Sequence, residues 1–357
     1  MSTLAKEQDM NTVVETVENR PFSRPPSPVK WLGSKLSQSG IIVSAMPPVH
    51  EIPGRYLEPF VGGGYIWMSY GHNRNVINDS DADLMNFWSM SDADFRVFRN
   101  VIESIESART RGGCSLENFR EQAMMAIRDL HPDIDISSAS RIIAGEYFRR
   151  EKAIEKHGID PENVEGIRRI TNTGVNAVIY YICRDAWNRH HDEPSPVRAA
   201  LWLVIRELAY GGIFRLNPLG GMNMSYGGVS YDTKDIMSKV EILEKIRNTD
   251  TYMNTEFRSE DFRDFFAQQM PDGRDFLFLD PPFTGEFFSM EDQRDLHALI
   301  AASGSQAMIT LSGSDTPVID LYRACGWQEV QCDRTGTGVS IRGRIRKRNQ
   351  ITILTNY

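Results

Sequence analysis

Apolar positions follow two regimes along the chain. From about residue 91 to 210 they recur at helical spacing, as in Phe95, Phe98, Val101, Ile102 and Ile105, and strand-like runs are few. This predicts a mainly helical region, broken by a loop at residues 158–163 (GIDPEN). On either side, short apolar runs alternate with helical stretches. Residues 56–68 (YLEPFVGGGYIWM) read as a short strand, an acid, three glycines and a helix. Residues 75–79 (NVIND) read as a second strand ending in Asp79. In the last third, strands are predicted at 276–279, 307–311 and 350–354. A helix is expected over 292–302, capped near Ser289 by Glu291 and Asp292. Residues 327–357 read as an antiparallel hairpin. Six glycines and interleaved aromatics at 210–228 (YGGIFRLNPLGGMNMSYGG) predict a β-hairpin or loop presenting polar side chains. Strands alternating with helices around a helical insert indicate an α/β chain. Residues 1–20 are polar and acidic and are expected to form a disordered tail.

One stretch combines the pattern with chemistry. In FLFLDPPF the run from Phe276 to Leu279 has no polar position, as a strand buried on both faces requires. Pro281 and Pro282 cannot continue a sheet ladder, so Asp280 falls at the strand's carboxyl end, where open α/β sheets bind ligands. The prolines make a stiff turn holding the Asp280 carboxylate, the Pro281 carbonyl and the Phe283 ring in one geometry. Two acceptors and a ring suit a planar amine such as a nucleobase; the plainer reading is a strand ending in a surface aspartate. Glycines 62–64 allow close backbone approach to a ligand, and Asp79 lies seventeen residues after Gly62. That is near the spacing at which doubly wound folds place a carboxylate on ribose hydroxyls.

Composition constrains partners and compartment. The 357 residues are 41% hydrophobic and 25% charged, as in an ordinary globular protein with a sizeable core. No apolar run approaches a membrane span and the N-terminus lacks a signal-peptide core, so a cytoplasmic protein is expected. Cys114, Cys183, Cys325 and Cys332 show no metal or redox spacing, and His190 and His191 read as a solvated helix end; no metal is expected. The net charge of −8 argues mildly against a polyanion partner, but residues 342–348 (RGRIRKR) hold five cations and no anion. Those cations read as a phosphate-contacting loop or as a charged guard on an edge strand.

Together these segments resemble the Dam-like DNA adenine-N6 methyltransferases, from about Pro28 to Tyr357 and in the family's order. Lys30, Trp31, Gly33 and Lys35 stand where the family has its first cofactor motif. Glu58, Pro59, Phe60 and the glycines after them are similar to its EPFxGGG loop. Asn78, Asp79, Leu84, Asn86 and Phe87 match NDxNxxLxNF, with Asp81 for the middle asparagine. Arg215, Asn217, Gly220, Asn223 and Gly227 match the hairpin RxNxxGxFNxPFG, though Ser225 and Tyr226 replace Pro-Phe. Asp261 with Phe262 resembles the family's DF pair, and Asp280, Pro281, Pro282 and Phe283 its DPPY, with phenylalanine for tyrosine. At Tyr210, Gly211 and Gly212 the family commonly has Tyr-Asn-Gly, whose asparagine fills the gap left by a flipped base; Gly211 has nothing to insert.

The resemblance implies a Rossmann-like S-adenosyl-L-methionine-dependent methyltransferase fold. A catalytic domain would comprise residues 21–89 and 229–357. Residues 90–228 would form an inserted helical target-recognition domain carrying the β-hairpin. It gives the cofactor to Trp31, Lys35, Glu58, Phe60, Gly62, Gly64, Asp79, Asp261, Phe262 and Asp280, with Asp79 on the ribose, Trp31 and Lys35 at the amino-acid end and Asp261 with Phe262 on the adenine. Catalysis falls to Asp280, Pro281, Pro282 and Phe283 acting on an adenine flipped out of double-stranded DNA. DNA contacts fall to Tyr210, Arg215, Asn217 and Asn223, together with the cations Arg342, Arg344, Arg346 and Lys347. The implied setting is a bacterial or phage-infected cell, with a cognate restriction endonuclease as a possible partner. The alternatives are a same-fold enzyme acting on cytosine N4 or RNA adenine, and an inactive DNA-binding relative.

Overall fold

The structure is a computed structural model that describes residues 27–31, 33–109, 112–189, 193–285, 288–313, 315–330 and 351–357. The expected tail at 1–20 and the cations Arg342, Arg344, Arg346 and Lys347 lie outside the described residues. Seven strands form one mixed sheet: β1 (Tyr56–Glu58), β2 (Asn75–Asn78), β3 (Thr255–Arg258), β4 (Phe276–Leu279), β5 (Gln306–Ser312), β6 (Gln328–Glu329) and β7 (Ile351–Thr355). Their spatial order is β3-β2-β1-β4-β5-β7-β6. The first five are mutually parallel, and β7 runs antiparallel between β5 and β6. This is the expected α/β, Rossmann-like sheet, with strand order reversing between β1 and β4. Open sheets form a crevice at the carboxyl ends of the strands at such a reversal.

Period-two alternation explains why β4 has no polar residue. Phe276 and Phe278 join the apolar cluster on one face, whereas Leu277 and Leu279 join the cluster on the other. The second face is covered by helices Phe262–Gln269, Met290–Ser303 and Thr316–Ala324 through Phe265, Leu296, Ile300, Val318 and Tyr322. The Met290–Ser303 helix begins in a capping box: the Ser289 hydroxyl accepts from the Asp292 N–H, and the Asp292 carboxylate accepts from the Ser289 N–H.

The first face is continuous with the helical region. Tyr56, Ile77 and Phe276 share one cluster with Phe98, Ile102, Tyr180, Trp202 and Ile205. The longest helices there are Asp92–Arg109, Ala139–Lys156 and the 26-residue Val164–Arg189. The helix Pro196–Leu208 opens with Ser195 as its cap, accepting from the Arg198 N–H, and Pro196 at its first position. It leads directly into the glycine-rich segment. That segment doubles back as expected, but it is held by two isolated antiparallel bridges, Ala209 to Tyr226 and Leu216 to Met222. Six glycines in nineteen residues leave few side chains to pair across regular strands. Among the described residues no helix is long and apolar enough to cross a membrane.

Candidate active site at the strand crossover

Asp280 leaves β4 at the reversal, and its carboxylate is held from two directions. The Lys35 ammonium lies 2.6 Å from Oδ1 and 2.7 Å from Oδ2. The Thr310 hydroxyl, on neighbouring β5, donates to Oδ1 at 2.7 Å. Lys35 also donates to the Gly33 carbonyl at 3.1 Å, which ties the N-terminal segment to the strand end. Burial pushes the Asp280 carboxyl above the usual carboxylate range, and Lys35 and Thr310 oppose that push. Pro281 is buried and Pro282 exposed, and the Phe283 ring stands 54% exposed beyond them.

Glu58, at the end of adjacent β1, is fully buried and accepts from the Tyr56 hydroxyl at 2.6 Å. Burial raises its carboxyl well above the usual range, against hydrogen bonds from Tyr56 and the Trp67 backbone; the negative charges of Asp280 and Asp79 raise it further. Asp79, just past β2, accepts from the Gly62 N–H and the Asp81 N–H, both at 3.0 Å. Burial pushes it up to about 6 despite those bonds. The three carboxyls are near enough for the charges of Asp280 and Asp79 to act on Glu58, and Lys35 is the cation in contact with Asp280.

The glycine loop is shaped by its neighbours. Gly62 has φ +47°, and a Cβ there would lie 2.7 Å from Trp31 Cδ1. The loop therefore requires glycine both for its left-handed backbone and to admit the indole. Gly64, with φ +70°, caps the helix Tyr65–Tyr70 and abuts Trp88. Beside the loop, Phe60, Phe262 and Phe288 form an aromatic wall with centroids 5.5 to 5.8 Å apart. Asp261 caps the helix Phe262–Gln269 by accepting from the Arg263 N–H at 2.9 Å and is otherwise exposed. Asn78 bridges Pro59 and Glu260, so the ends of β1 and β2 and the turn after β3 are one bonded unit.

Lys35, which the resemblance gives to the cofactor's amino-acid end, places its ammonium on Asp280. Thr310, Phe288 and Arg263 belong to the site and carried no signal in the sequence; Arg263 stacks on Phe262 at 4.4 Å and binds Asp292 and Asp295.

In the glycine-rich segment Tyr210 is exposed and Arg215 donates from Nε to Asn223 Oδ1 at 3.1 Å. Asn217 Oδ1 accepts from the Leu219 N–H at 2.9 Å and the Gly221 N–H at 3.0 Å, so this oxygen shapes the turn. Among the described residues no three His, Cys, Asp or Glu side chains form a metal-ligand group.

Comparison with known proteins adds to this geometry. Residues 31–141 and 151–330 match the family described as D12 class N6 adenine-specific DNA methyltransferase. A type II methyltransferase of Lactococcus lactis subsp. cremoris, M1.LlaDCHI, is 25% identical over 356 residues, covering 95% of each chain. A DNA N-6-adenine-methyltransferase of Escherichia phage P1 is 24% identical over 317 residues, 84% of this chain and 31% of the phage protein. Type II methyltransferase M.MjaIII of Methanocaldococcus jannaschii is 22% identical over 275 residues, 75% of this chain and 70% of the relative.

Proposed function

The chain belongs to the D12 class N6 adenine-specific DNA methyltransferase family, and from that premise we propose that it methylates N6 of an adenine flipped out of duplex DNA, with S-adenosylmethionine as donor. The donor's fit rests on the site itself. The Asp280 and Asp79 carboxylates suit a cationic donor, the glycine loop admits close approach, and the wall of Phe60, Phe262 and Phe288 suits a purine. Asp79 would take the ribose and Asp261 the adenine edge. The Glu260 Oε2 atom beside them is buried without a hydrogen-bond partner among the described residues, and it offers one further acceptor. When bound, the donor supplies an electrophilic methyl group on a sulfonium.

The chain's own residues do the rest. The exocyclic amine of adenine is a weak nucleophile because its lone pair is delocalised into the ring. N–H bonds to the Asp280 carboxylate and the Pro281 carbonyl localise that pair on nitrogen and hold it in place. As the amine would take the methyl carbon, with the carbon–sulfur bond breaking and the sulfur leaving as a neutral thioether, nitrogen would gain positive charge that the Asp280 carboxylate offsets. One N–H proton then leaves, and a carboxyl raised by burial accepts it more readily than an exposed one would. Phe283 supplies the face on which an extruded base stacks, and its exposure supports that use. Arg215 supports guanine readout, since its fork matches the O6 and N7 edge.

The observation carrying this reading is the Asp280 carboxylate, clamped by Lys35 and Thr310 at the strand crossover beside Glu58. The test is to incubate unmethylated DNA with labelled donor and locate the product by sequencing, with Asp280→Ala as control. N6-methyladenine from the parent and none from the control is expected. Modified cytosine, or equal labelling by the control, overturns the proposal.

A further inference from the structure

Arg206 occupies the last turn of the helix Pro196–Leu208, just before the glycine-rich segment. Its guanidinium carbon lies 4.5 Å from the Trp31 ring centroid, 4.8 Å from that of Trp202 and 5.0 Å from that of Phe214. Among the described residues it has no carboxylate within ion-pair distance, and its one hydrogen bond is a long 3.4 Å contact to the Lys30 carbonyl. The charges of Asp81, Glu207 and Asp83 act on this partly buried cation from beyond contact, and the ring faces are what it packs against, so the three rings and the cation hold one another in place.

The three rings come from separate parts of the chain. Trp31 lies against Gly62 of the loop, and Gly62 is bonded to Asp79. Trp202 belongs to the helix itself. Phe214 precedes Arg215, the residue assigned above to base reading. A displacement of the loop therefore reaches Arg215 through Trp31, Arg206 and Phe214 without crossing the sheet.

We infer that Arg206 is a positioning residue that couples the methyl-donor loop to the DNA-reading segment, so that donor and duplex each strengthen the other's binding. This rests on the donor and DNA assignments proposed above. Coupling between two binding sites is reciprocal, so either ligand reports it.

The test uses the full chain, S-adenosylhomocysteine as an unreactive probe, and a duplex carrying the site mapped in the labelling experiment. The probe's Kd is measured calorimetrically with and without saturating duplex. The parent is expected to bind the probe about tenfold more tightly with duplex present. Arg206→Met, which keeps an unbranched stem but loses the planar charge, should bring that ratio to about one. General structural damage weakens both measurements alike and leaves the ratio unchanged. Phe214→Leu removes one ring and leaves the arginine in place; it should also collapse the ratio, and it decides the matter if Arg206→Met does not fold. A parent ratio of one, or a parental ratio retained in the folded variants, overturns the inference. Failure of the parent to bind the probe at all overturns the donor assignment, and the coupling with it.

Discussion

Replacing Lys35 with methionine tests whether this cation keeps Asp280 ionised. Both carboxylate oxygens lie within 2.7 Å of the ammonium, and burial alone raises the carboxyl. Removing one partner of a buried ion pair costs about 3–5 kcal/mol, and a unit of pKa corresponds to about 1.36 kcal/mol. Converted into proton affinity, that loss pushes the Asp280 carboxyl further up, and because the side chain keeps 23% exposure water recovers part of it. The proposed mechanism needs the ionised carboxylate as acceptor. The acid limb of kcat should therefore move to higher pH, with activity falling about tenfold per pH unit below it.

Stability carries the opposite sign. A carboxyl with a raised folded pKa is tolerated while protonated, so its contribution is intact at low pH and is lost as pH rises through the folded value. Lys35→Met should therefore lose stability relative to the parent towards alkaline pH, where its activity recovers. Methyl transfer to duplex DNA at saturating donor gives the first profile and urea unfolding gives the second, with Asp280→Asn as a slow, pH-independent control. If Lys35→Met retains the parental acid limb, the lysine does not set the charge on Asp280.

The other expectations concern separate elements. Asp79, pushed up to about 6, loses its acceptor charge in mild acid; donor affinity should fall about tenfold per unit below that value, and Asp79→Asn should flatten the profile of Kd against pH. Phe283→Ala removes an exposed ring, so stability should change by less than about 0.5 kcal/mol. Its kcat/KM on duplex should nevertheless fall roughly 5- to 150-fold for about 1–3 kcal/mol of lost stacking, and Phe283→Tyr should recover it; parental kcat/KM in the alanine variant would remove the ring from the mechanism. Arg198 donates to Asp83 at 2.5 and 2.9 Å, joining the helix Pro196–Leu208 to the helix Ala82–Trp88. Asp83→Ala deprives that buried guanidinium of its carboxylate and should cost about 3 kcal/mol in urea unfolding; a loss typical of a surface pair, under about 1 kcal/mol, would refute this role.

What the sequence made legible follows from the range of each interaction. β4 was visible because a strand buried on both faces must be apolar throughout, and its proline stop is equally local. β3 has no such mark. Thr255–Arg258 is a half-exposed edge strand without an apolar run, and its pairing with β2 is made by the backbone. Asn217 was assigned to DNA from the hairpin motif, yet the Asn217-Pro218 pair followed by Gly220 and Gly221 is a turn signal that already accounts for its side-chain oxygen. The stack around Arg206 gathers rings from positions 31, 202 and 214, and the clamp on Asp280 gathers groups from positions 35 and 310. No sequence window contains either set. On the proposed mechanism the motif around Asp280 supplies the oxygens that an adenine amine needs, whereas the charge on those oxygens depends on residues brought in through sheet order and the packing of the N-terminal segment. A protein with the same four-residue motif but no cation at the position of Lys35 would present the same acceptor atoms in a different protonation state, and so a different pH range for the reaction.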